Sequence, residues 1–306
     1  MNKVKFLAFA DIHHYPGVFF TDARARLQKI IKRAQDANVD FIVSLGDFCH
    51  SSITFKDIIN DSENSPIKIY HVMGNHDTDG SPLAAVLRDY KMPSEYYYFD
   101  NSNFRFIVID TNYYKHEGGF THFEFRNYFD FPKTREILPP EQLKWLDETI
   151  QSSPYPCILL SHSSLERENN AVQNRQEVFD IIKKHNANGH KVFMSLNGHH
   201  HRDGLRIVDN VAYFDVNSAS FDWCSLEHNL YPKELLQQYE LADHQVIFTE
   251  PLSAIVTVSE DATIEIEGCK ADFYMGVTRE MTPNPATDPC GRLCTAEVLS
   301  AKFRLL

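Results

Sequence analysis

Strand-like apolar runs alternate with segments of helical period through the first two-thirds of the chain. The apolar runs lie at 4–11, 41–47, 67–77, 96–111 (a hairpin turning at 100–103), 157–164 and 191–201. The helical segments lie at 22–37, 82–91, 139–150 and 172–185. In the first of them Leu27, Ile30 and Ile31 share one face, behind Thr21 or Asp22 as the cap. Such alternation predicts an α/β domain.

The pattern changes after residue 204, where only strand-like segments follow. These are GLRIVD, VAYFDVN, SAIVTVS, TIEIEG and KFRLL. No internal repeat, low-complexity tract or convincing linker interrupts the chain. We therefore expect residues 1–306 to form a single domain with a β-rich tail at 205–306.

Several predicted strands end in side chains that can bind metals. The blocks are DIH (11–13), GD (46–47), GNHD (74–77), SH (161–162) and GHHH (198–201). Because the carboxyl ends of strands in an open α/β sheet meet at one edge, these groups are expected to converge. Alternation along a strand would place Asp11 and His13 on the same face. Each block alone is more often a turn or helix cap, but five in this order indicate a metal site.

The series DxH, GD, GNHD, a lone His and GHxH resembles the signature of the calcineurin-like metallophosphoesterases. These blocks span about two-thirds of the chain, from Asp11 to His201. The segments FIVIDTN (106–112) and QLKWLDETI (142–150) are similar to the branch that holds purple acid phosphatases and manganese-dependent nucleotide diphosphatases. The resemblance implies an α/β fold, a four-layer α/β/β/α sandwich of two mixed sheets flanked by helices. The β-rich tail would complete the second sheet.

The resemblance also implies a dinuclear metal centre. One ion would be held by Asp11, His13 and His201, the other by Asn75, His162 and His199, and Asp47 would bridge both. Imidazole and carboxylate ligands suit divalent transition metals such as Mn, Fe or Zn better than Mg or Ca. Two such ions can share a hydroxide for in-line attack on phosphorus. In GHxH the middle residue, His200, would point away.

His76 matches the histidine of this family that donates a proton to the leaving oxygen. Its neighbour Asp77 could orient the imidazole, as carboxylates near catalytic histidines do. The alternative for His76 is a surface histidine after a tight turn. Purple acid phosphatases carry a metal-binding tyrosine where this chain has His50, so an Fe(III)-containing centre is in doubt. His50 is expected to line the site or to be exposed.

Two aromatic segments are candidates for substrate contacts. The insert at 111–133 contains Tyr113, Phe123 and Arg126, which could hold an aromatic group and a phosphate. The alternative, that its aromatic residues pin the loop to the body of the protein, is slightly favoured. The segment at 218–232 could add Trp223 to the same wall.

Charge and composition limit the partners. The net charge of −12 disfavours a surface for nucleic acid polymers, whereas bound cations would still allow a small anionic substrate. No apolar run approaches the ~18 residues of a membrane span, so no membrane partner is expected. Six scattered cysteines are typical of free thiols in a reducing compartment, and this favours the cytoplasm. The sequence gives no indication of an oligomeric state.

The sequence therefore predicts a hydrolase, a metallophosphoesterase that cleaves a small phosphodiester, nucleotide or pyrophosphate. A phosphomonoesterase, including a protein phosphatase, is the first alternative. The second is a non-catalytic scaffold, like the retromer coat subunit of the same fold. Such scaffolds lose the GNHD histidine or metal ligands, whereas this chain keeps His76 and the full ligand set.

Overall fold

A computed structural model describes residues 2–187, 189, 191–224, 227–281 and 294–306. Its strands are β1 (Lys3–Phe9), β2 (Phe41–Ser44), β3 (Ile69–His71), β4 (Tyr97–Asn101), β5 (Phe104–Ile109), β6 (Tyr113–His116), β7 (Gly119–His122), β8 (Cys157–Ser161), β9 (Val192–Asn197), β10 (Gly204–Val208), β11 (Val211–Asp215), β12 (Phe221–Trp223), β13 (Gln245–Ile247), β14 (Ala254–Ser259), β15 (Thr263–Glu267), β16 (Cys269–Lys270), β17 (Glu297–Val298) and β18 (Ala301–Arg304). Its α-helices are α1 (Ala23–Asp36), α2 (Lys56–Glu63), α3 (Leu83–Asp89), α4 (Pro140–Ser152), α5 (Arg175–Asn186) and α6 (Lys233–Gln238). Short 3₁₀ helices lie at Asn127–Asp130, Glu240–His244, Tyr274–Gly276 and Arg279–Met281.

Two mixed sheets of six strands each dominate the part of the chain that the structure describes. The first has the order β18-β15-β14-β1-β2-β3, and the second β10-β11-β9-β8-β5-β4. The strands β1, β2 and β3 are parallel, as are β5, β8, β9 and β11. Antiparallel strands flank both parallel groups.

The sheets pack face to face, with helices outside. Phe6 of the first sheet lies edge-on to Phe106 of the second, with ring centroids 5.3 Å apart. The neighbouring side chain Ile107 points to the opposite face, where it joins a separate core that contains residues of α4 and α5. Helix α1 packs its apolar face on the first sheet. This arrangement confirms the four-layer α/β/β/α sandwich.

Most predicted elements appear at their predicted places. Asp22 caps α1 by accepting a hydrogen bond from the amide of Ala25, at 3.0 Å. Helix α2 was not predicted, because its only buried side chains, Ile58 and Ile59, are adjacent and show no helical spacing. Helix α6 contradicts the expectation of a tail with strands only, and it buries none of its residues, so it carries no periodic apolar signal.

The tail contributes to both sheets, and not only to the second. Strands β10 and β11 extend the second sheet, whereas β14, β15 and β18 extend the first. No helix among the described residues is long and apolar enough to cross a membrane. The five described cysteines are free, and Cys290 lies outside the described residues.

Candidate metal centre

All seven predicted ligands come together at the carboxyl ends of the parallel strands. Each lies in the loop that follows β1, β2, β3, β8 or β9. They are Asp11 and His13, Asp47, Asn75, His162, and His199 with His201. Six are less than 9% exposed, and the seventh, His199, is partly exposed. The structure therefore brings residues from both sheets to one buried point.

The first group of ligands surrounds the ring of His13. Its Nε2 lies 3.0 Å from Nε2 of His201 and 3.8 Å from Oδ2 of Asp47. Nε2 of His201 lies 3.4 Å from Oδ1 of Asp11. Asp11, His13 and His201 thus offer three ligand atoms within 4.8 Å of one another.

The second group surrounds the ring of His162. Its Nε2 lies 3.1 Å from Oδ1 of Asn75, 3.2 Å from Nδ1 of His199 and 3.4 Å from Oδ2 of Asp47. The same oxygen of Asp47 therefore faces both groups, which is the position that a bridging carboxylate needs.

The outer hydrogen bonds of these histidines fix which nitrogen faces inward. Nδ1 of His162 donates to the carbonyl of Leu45 at 2.8 Å, and Nδ1 of His201 donates to the carbonyl of Phe221 at 2.6 Å. Nε2 of His199 lies 3.3 Å from the carboxylate of Glu136. In its neutral form, the form that binds a metal, each ring therefore turns an unprotonated nitrogen toward the centre. Facing lone pairs repel one another unless a cation lies between them, so this donor set fits a pair of divalent ions.

Five of the seven ligands have left-handed backbone. The φ angles are 53° for Asp11, 51° for His13, 51° for Asp47, 68° for His199 and 53° for His201. The expectation that alternation along a strand aligns Asp11 with His13 is wrong, because β1 ends at Phe9. The same holds for His199 and His201, since β9 ends at Asn197. Tight turns aim these side chains, at a cost of roughly 1–3 kcal/mol each.

The motif glycines allow these turns to approach one another closely. A Cβ on Gly74 would lie 2.2 Å from Oδ1 of Asp47, and one on Gly198 would lie 2.7 Å from Oδ2 of Asp11. Neither distance is sterically possible, so the glycine residues of GNHD and GHxH are required for contact with the ligand carboxylates.

Asp77 does not orient His76, which corrects the sequence prediction. Its carboxylate accepts hydrogen bonds from the amides of Asp47, Phe48, Cys49 and Gly74 and from the hydroxyl of Tyr90, at 2.6–3.0 Å. Five donors use up its acceptor capacity. Asp77 therefore holds the left-handed turn that presents Asp47.

Asp79 is the carboxylate that meets the imidazole of His76. Oδ2 of Asp79 lies 2.7 Å from Nδ1 of His76, and Oδ1 accepts a hydrogen bond from the hydroxyl of Tyr128 at 3.0 Å. The amide nitrogen of Asn75 also points to this hydroxyl, at 3.5 Å, which leaves its oxygen facing His162. The His76 side chain is 24% exposed and lies at the edge of the centre, and its Nε2 is left for a bound molecule.

His50 is buried behind His13, and is not exposed. Its Nε2 lies 3.0 Å from Nδ1 of His13, and its Nδ1 lies 3.5 Å from Oδ2 of Asp79. His200 turns away from the centre, with its Nε2 3.2 Å from the carbonyl of Asn169.

The aromatic insert is mostly structural. Tyr114, Phe123, Tyr128 and Phe131 form a small core of their own, so Phe123 is no substrate contact. Tyr113 packs against the ring of His122 and donates to Glu95, away from the centre. Phe123 is fully buried, and Tyr113 is engaged with His122 and Glu95, so the structure favours the alternative that these aromatic residues pin the loop.

A cavity of about 230 Å³ opens beside the ligands. Arg135, Tyr128, Phe129, Asn170 and Trp223 line it together with Asp47, Asn75, Glu136 and three histidines. Trp223 is thus where the sequence placed it. Arg126 borders a different cavity and pairs with Asp79 at 3.2 Å.

Charges at the centre favour a cation. Burial alone would lower the pKa of His162, but the carboxylates of Asp47 and Asp11 raise it to about 10. Burial lowers the pKa of His50 to about 4. Burial would raise the pKa of Glu136, but His199 holds it below its ordinary value. The carboxylates thus create a field that stabilises positive charge at this point.

Three residues of the site have no signal in the sequence motifs. Glu136 lies in the loop before α4, and its contact with His199 is purely tertiary. Asp79 and Tyr128 contact each other from loops 49 residues apart. A hint exists only for Asp79, since its place three residues after His76 lets a turn bring the two side chains together.

Comparisons with known proteins agree with this architecture. A family model described as calcineurin-like phosphoesterase matches residues 4–203. A dimetal phosphatase from Danio rerio has 14% identity and a TM-score of 0.61, over 87% of this chain and 95% of that chain. The anchor in the inner membrane complex of Plasmodium has 13% identity and a TM-score of 0.58, over 100% of this chain and 90% of that chain. A search of curated protein sequences gives no significant match. At these identities the two structures show a shared fold alone.

Proposed function

We propose, on the premise that the chain belongs to the calcineurin-like phosphoesterase family, that its centre holds two divalent transition-metal ions and hydrolyses a small phosphodiester, nucleotide or pyrophosphate. The chain belongs to the calcineurin-like phosphoesterases, a family of hydrolases that act on phosphoester bonds. The observation that carries the proposal is the convergence of ligand atoms around Nε2 of His162, which lies 3.2 Å from Nδ1 of His199, 3.1 Å from Oδ1 of Asn75 and 3.4 Å from Oδ2 of Asp47. A cation between them turns a repulsive contact into coordination.

Each ligand has an assigned ion. Asp11, His13 and His201 would hold one, Asn75, His162 and His199 the other, and Asp47 both. When bound, the ions supply Lewis-acid stabilisation of phosphoryl charge and an activated water as the nucleophile. Mn, Fe and Zn suit this mixture of imidazole, carboxylate and amide ligands.

His76 is the proposed general acid. Burial alone would lower the pKa of His76, but the carboxylates of Asp47 and Asp79 raise it above its ordinary value. The imidazolium then donates a hydrogen bond to Asp79 through Nδ1 and carries the proton for the leaving oxygen on Nε2, at the edge of the cavity. A correctly placed acid contributes about 10²- to 10⁴-fold to the rate. Asp77 supports this chemistry only indirectly, by fixing Asp47.

The size of the cavity supports a small substrate. The cavity of about 230 Å³ is smaller than the ~300–1,000 Å³ of typical ligand pockets, and it can hold a phosphoryl group with a few further atoms. Arg135 supplies a positive charge for a phosphate oxygen, and the rings of Phe129 and Trp223 can pack against an aromatic leaving group. The groove that a phosphoprotein needs would have to extend beyond this cavity.

Two alternatives remain in the proposal. A phosphomonoesterase would use the same ligands and differ only in the groups that meet the substrate. An anchoring role is known for the Plasmodium protein of this fold, so fold alone does not decide between enzyme and scaffold. The complete ligand set and the cavity beside His76 favour the enzyme.

Hydrolysis of two model substrates tests the proposal. We expect turnover of bis-p-nitrophenyl phosphate that requires added Mn and stops with a chelator, and slower turnover of p-nitrophenyl phosphate. Faster turnover of the monoester would favour the phosphomonoesterase. If neither is hydrolysed and elemental analysis finds no metal, the enzyme proposal is wrong. A screen of nucleotides and nucleoside diphosphate derivatives then identifies the substrate.

His76→Gln tests the acid. It should reduce hydrolysis of phenyl esters, whose leaving group is poor, far more than that of p-nitrophenyl esters. An equal effect on both would contradict the role of His76 as the acid.

A further inference from the structure

One carboxylate serves both halves of the centre. We propose that Asp79 is a shared positioning residue, which sets the ring of His76 directly and that of the metal ligand His13 through His50. The inference rests on the proposed function, because it assumes that His13 binds an ion and that His76 acts on a leaving group. It goes further because it links metal binding by His13 and proton donation by His76 through Asp79 and His50, which neither bind the metal nor donate the proton.

The direct arm runs from Asp79 to His76. The Asp79 side chain is only 3% exposed, and both of its oxygens are engaged. Oδ2 lies 2.7 Å from Nδ1 of His76 and 3.2 Å from Nε of Arg126, and Oδ1 accepts from Tyr128. A carboxylate fixed from three sides can hold the imidazole in one orientation and one tautomer.

The second arm runs from Asp79 through His50 to His13. Nε2 of His13 faces His201 and Asp47, so it is the ligand nitrogen, and its ring proton must be on Nδ1. That proton is donated to Nε2 of His50, 3.0 Å away, and this places the proton of His50 on Nδ1. Nδ1 of His50 makes no hydrogen bond of standard geometry among the described residues, and Oδ2 of Asp79, 3.5 Å away, is the electrostatic partner of its proton. All donors along this arm therefore point toward the same carboxylate.

Packing holds the ring of His50 in place between Asp79 and His13, so that the three side chains form a relay. The ring of His50 is stacked between Tyr15, at 4.9 Å and 24°, and His76, at 4.7 Å and 26°. The imidazoles of His50 and His76 thus lie face to face, and both approach Oδ2 of Asp79. His50 acts from behind His13, and it has the burial that a fixed relay requires, at 4% exposure.

Three variants separate the arms by two measurements: Mn affinity by calorimetry, and the ratio of rates on good and poor leaving groups. His76→Gln should change the ratio and leave Mn affinity intact. His50→Phe keeps the stacked ring but loses the relay, so Mn affinity should fall about 10- to 100-fold with the ratio unchanged. Asp79→Asn should change both.

In the double variant Asp79→Asn/His50→Phe, Mn affinity should be no lower than with His50→Phe alone, since both substitutions act on one path.

Asp130→Asn changes an exposed carboxylate of the insert at 111–133. It is the matched control and should change neither measurement. Circular dichroism and thermal unfolding show whether each variant is folded, and His50→Leu, which also lacks a donor and an acceptor, replaces His50→Phe if the latter is not. The inference is overturned if Asp79→Asn binds Mn as tightly as the wild type, or if its loss of affinity adds to that of His50→Phe. A wild type that binds no Mn would refute the proposed function instead, so the two failures are distinguishable.

Discussion

At the scale of single residues, the side chains behind the ligands determine what the ligands can do. Glu136 is buried, has left-handed backbone (φ 62°) and lies 3.3 Å from Nε2 of His199. By holding that proton, it leaves Nδ1 of His199 free to coordinate. Carboxylates in this position raise the basicity of a ligand imidazole and fix its orientation.

Glu136→Gln is therefore expected to weaken metal binding about 10- to 100-fold, because a neutral amide no longer fixes the tautomer of His199. Calorimetric titration with Mn measures the change. Glu168→Gln is the control, since Glu168 is exposed and pairs with Arg175 on the surface. Equal Mn affinity in Glu136→Gln and Glu168→Gln would exclude this role for Glu136.

The convergence of the seven proposed ligands could be predicted from the sequence because each follows an apolar strand, and the resemblance of the motifs supplied their roles. The carboxylate that contacts His76 could not be predicted. The adjacent Asp77 points into the fold and accepts hydrogen bonds from four amides, and Asp79 makes the contact with His76 that was expected of Asp77. Proximity in the sequence therefore gave the wrong partner for His76, because a tight turn directs the side chain of Asp77 away from it. Glu136 and Tyr128 are brought in by tertiary packing alone.

At the scale of elements, the insert at 111–133 is a hairpin of β6 and β7 attached to the end of β5. His122 is its main anchor. Its Nδ1 contacts the carbonyl of Phe123 at 2.6 Å, and its Nε2 contacts Oδ2 of Asp110 at 2.8 Å. Both ring nitrogens thus face acceptors, an arrangement that only the charged imidazolium satisfies fully.

This anchor predicts a dependence of stability on pH. Burial alone would lower the pKa of His122, but Asp110, the carbonyl of Phe123 and Glu95 raise it above its ordinary value. A folded-state pKa above the unfolded one gives stability that is complete below about pH 6.5 and is lost as the pH rises through the folded-state value. His122→Gln should therefore lower the free energy of unfolding by about 1–3 kcal/mol at pH 6, and by less at pH 9. Urea denaturation at both pH values measures this, and an equal loss at both would contradict it.

Elements with a periodic apolar face could be predicted, and those without one could not. The strands β1, β5 and β8 and the helices α1 and α4 all appear near their predicted bounds. The helices α2 and α6 could not be predicted. Helix α2 buries only two adjacent isoleucines and α6 buries no residue, so neither shows a helical period of apolar residues. The strand ends were placed too late at β1 and β9, since the ligand blocks continue the apolar runs in sequence but not in backbone conformation.

At the scale of the whole molecule, the two sheets meet through aromatic rings. Phe106 is fully buried and contacts Phe41 of the other sheet at 4.9 Å and Phe99 of its own at 5.1 Å. Phe106→Ala is expected to cost about 3–5 kcal/mol of folding free energy in urea denaturation. Phe129→Ala, at a ring that is 57% exposed, should cost less than about 0.5 kcal/mol. Similar losses for both would mean that the contact between the sheets contributes little.

The metal ions should also stabilise the sandwich, because their ligands come from both sheets. An ion at a hundred times its dissociation constant adds about 2.7 kcal/mol. We expect the melting temperature to rise with added Mn and to fall with a chelator. His162→Ala, which removes one of the proposed ligands, should respond less. A melting temperature that stays constant while elemental analysis shows loss of metal would contradict this coupling of binding to stability.

The left-handed backbone at the ligands has a consequence for folding. Glycine adopts such φ angles without strain, so exchange of Asp11, His13, Asp47, His199 or His201 for glycine would relieve the turn at that position. The chain nevertheless carries an acidic or imidazole side chain at all five places. Backbone strain concentrated in this way is typical of sites whose side chains must be presented to a ligand.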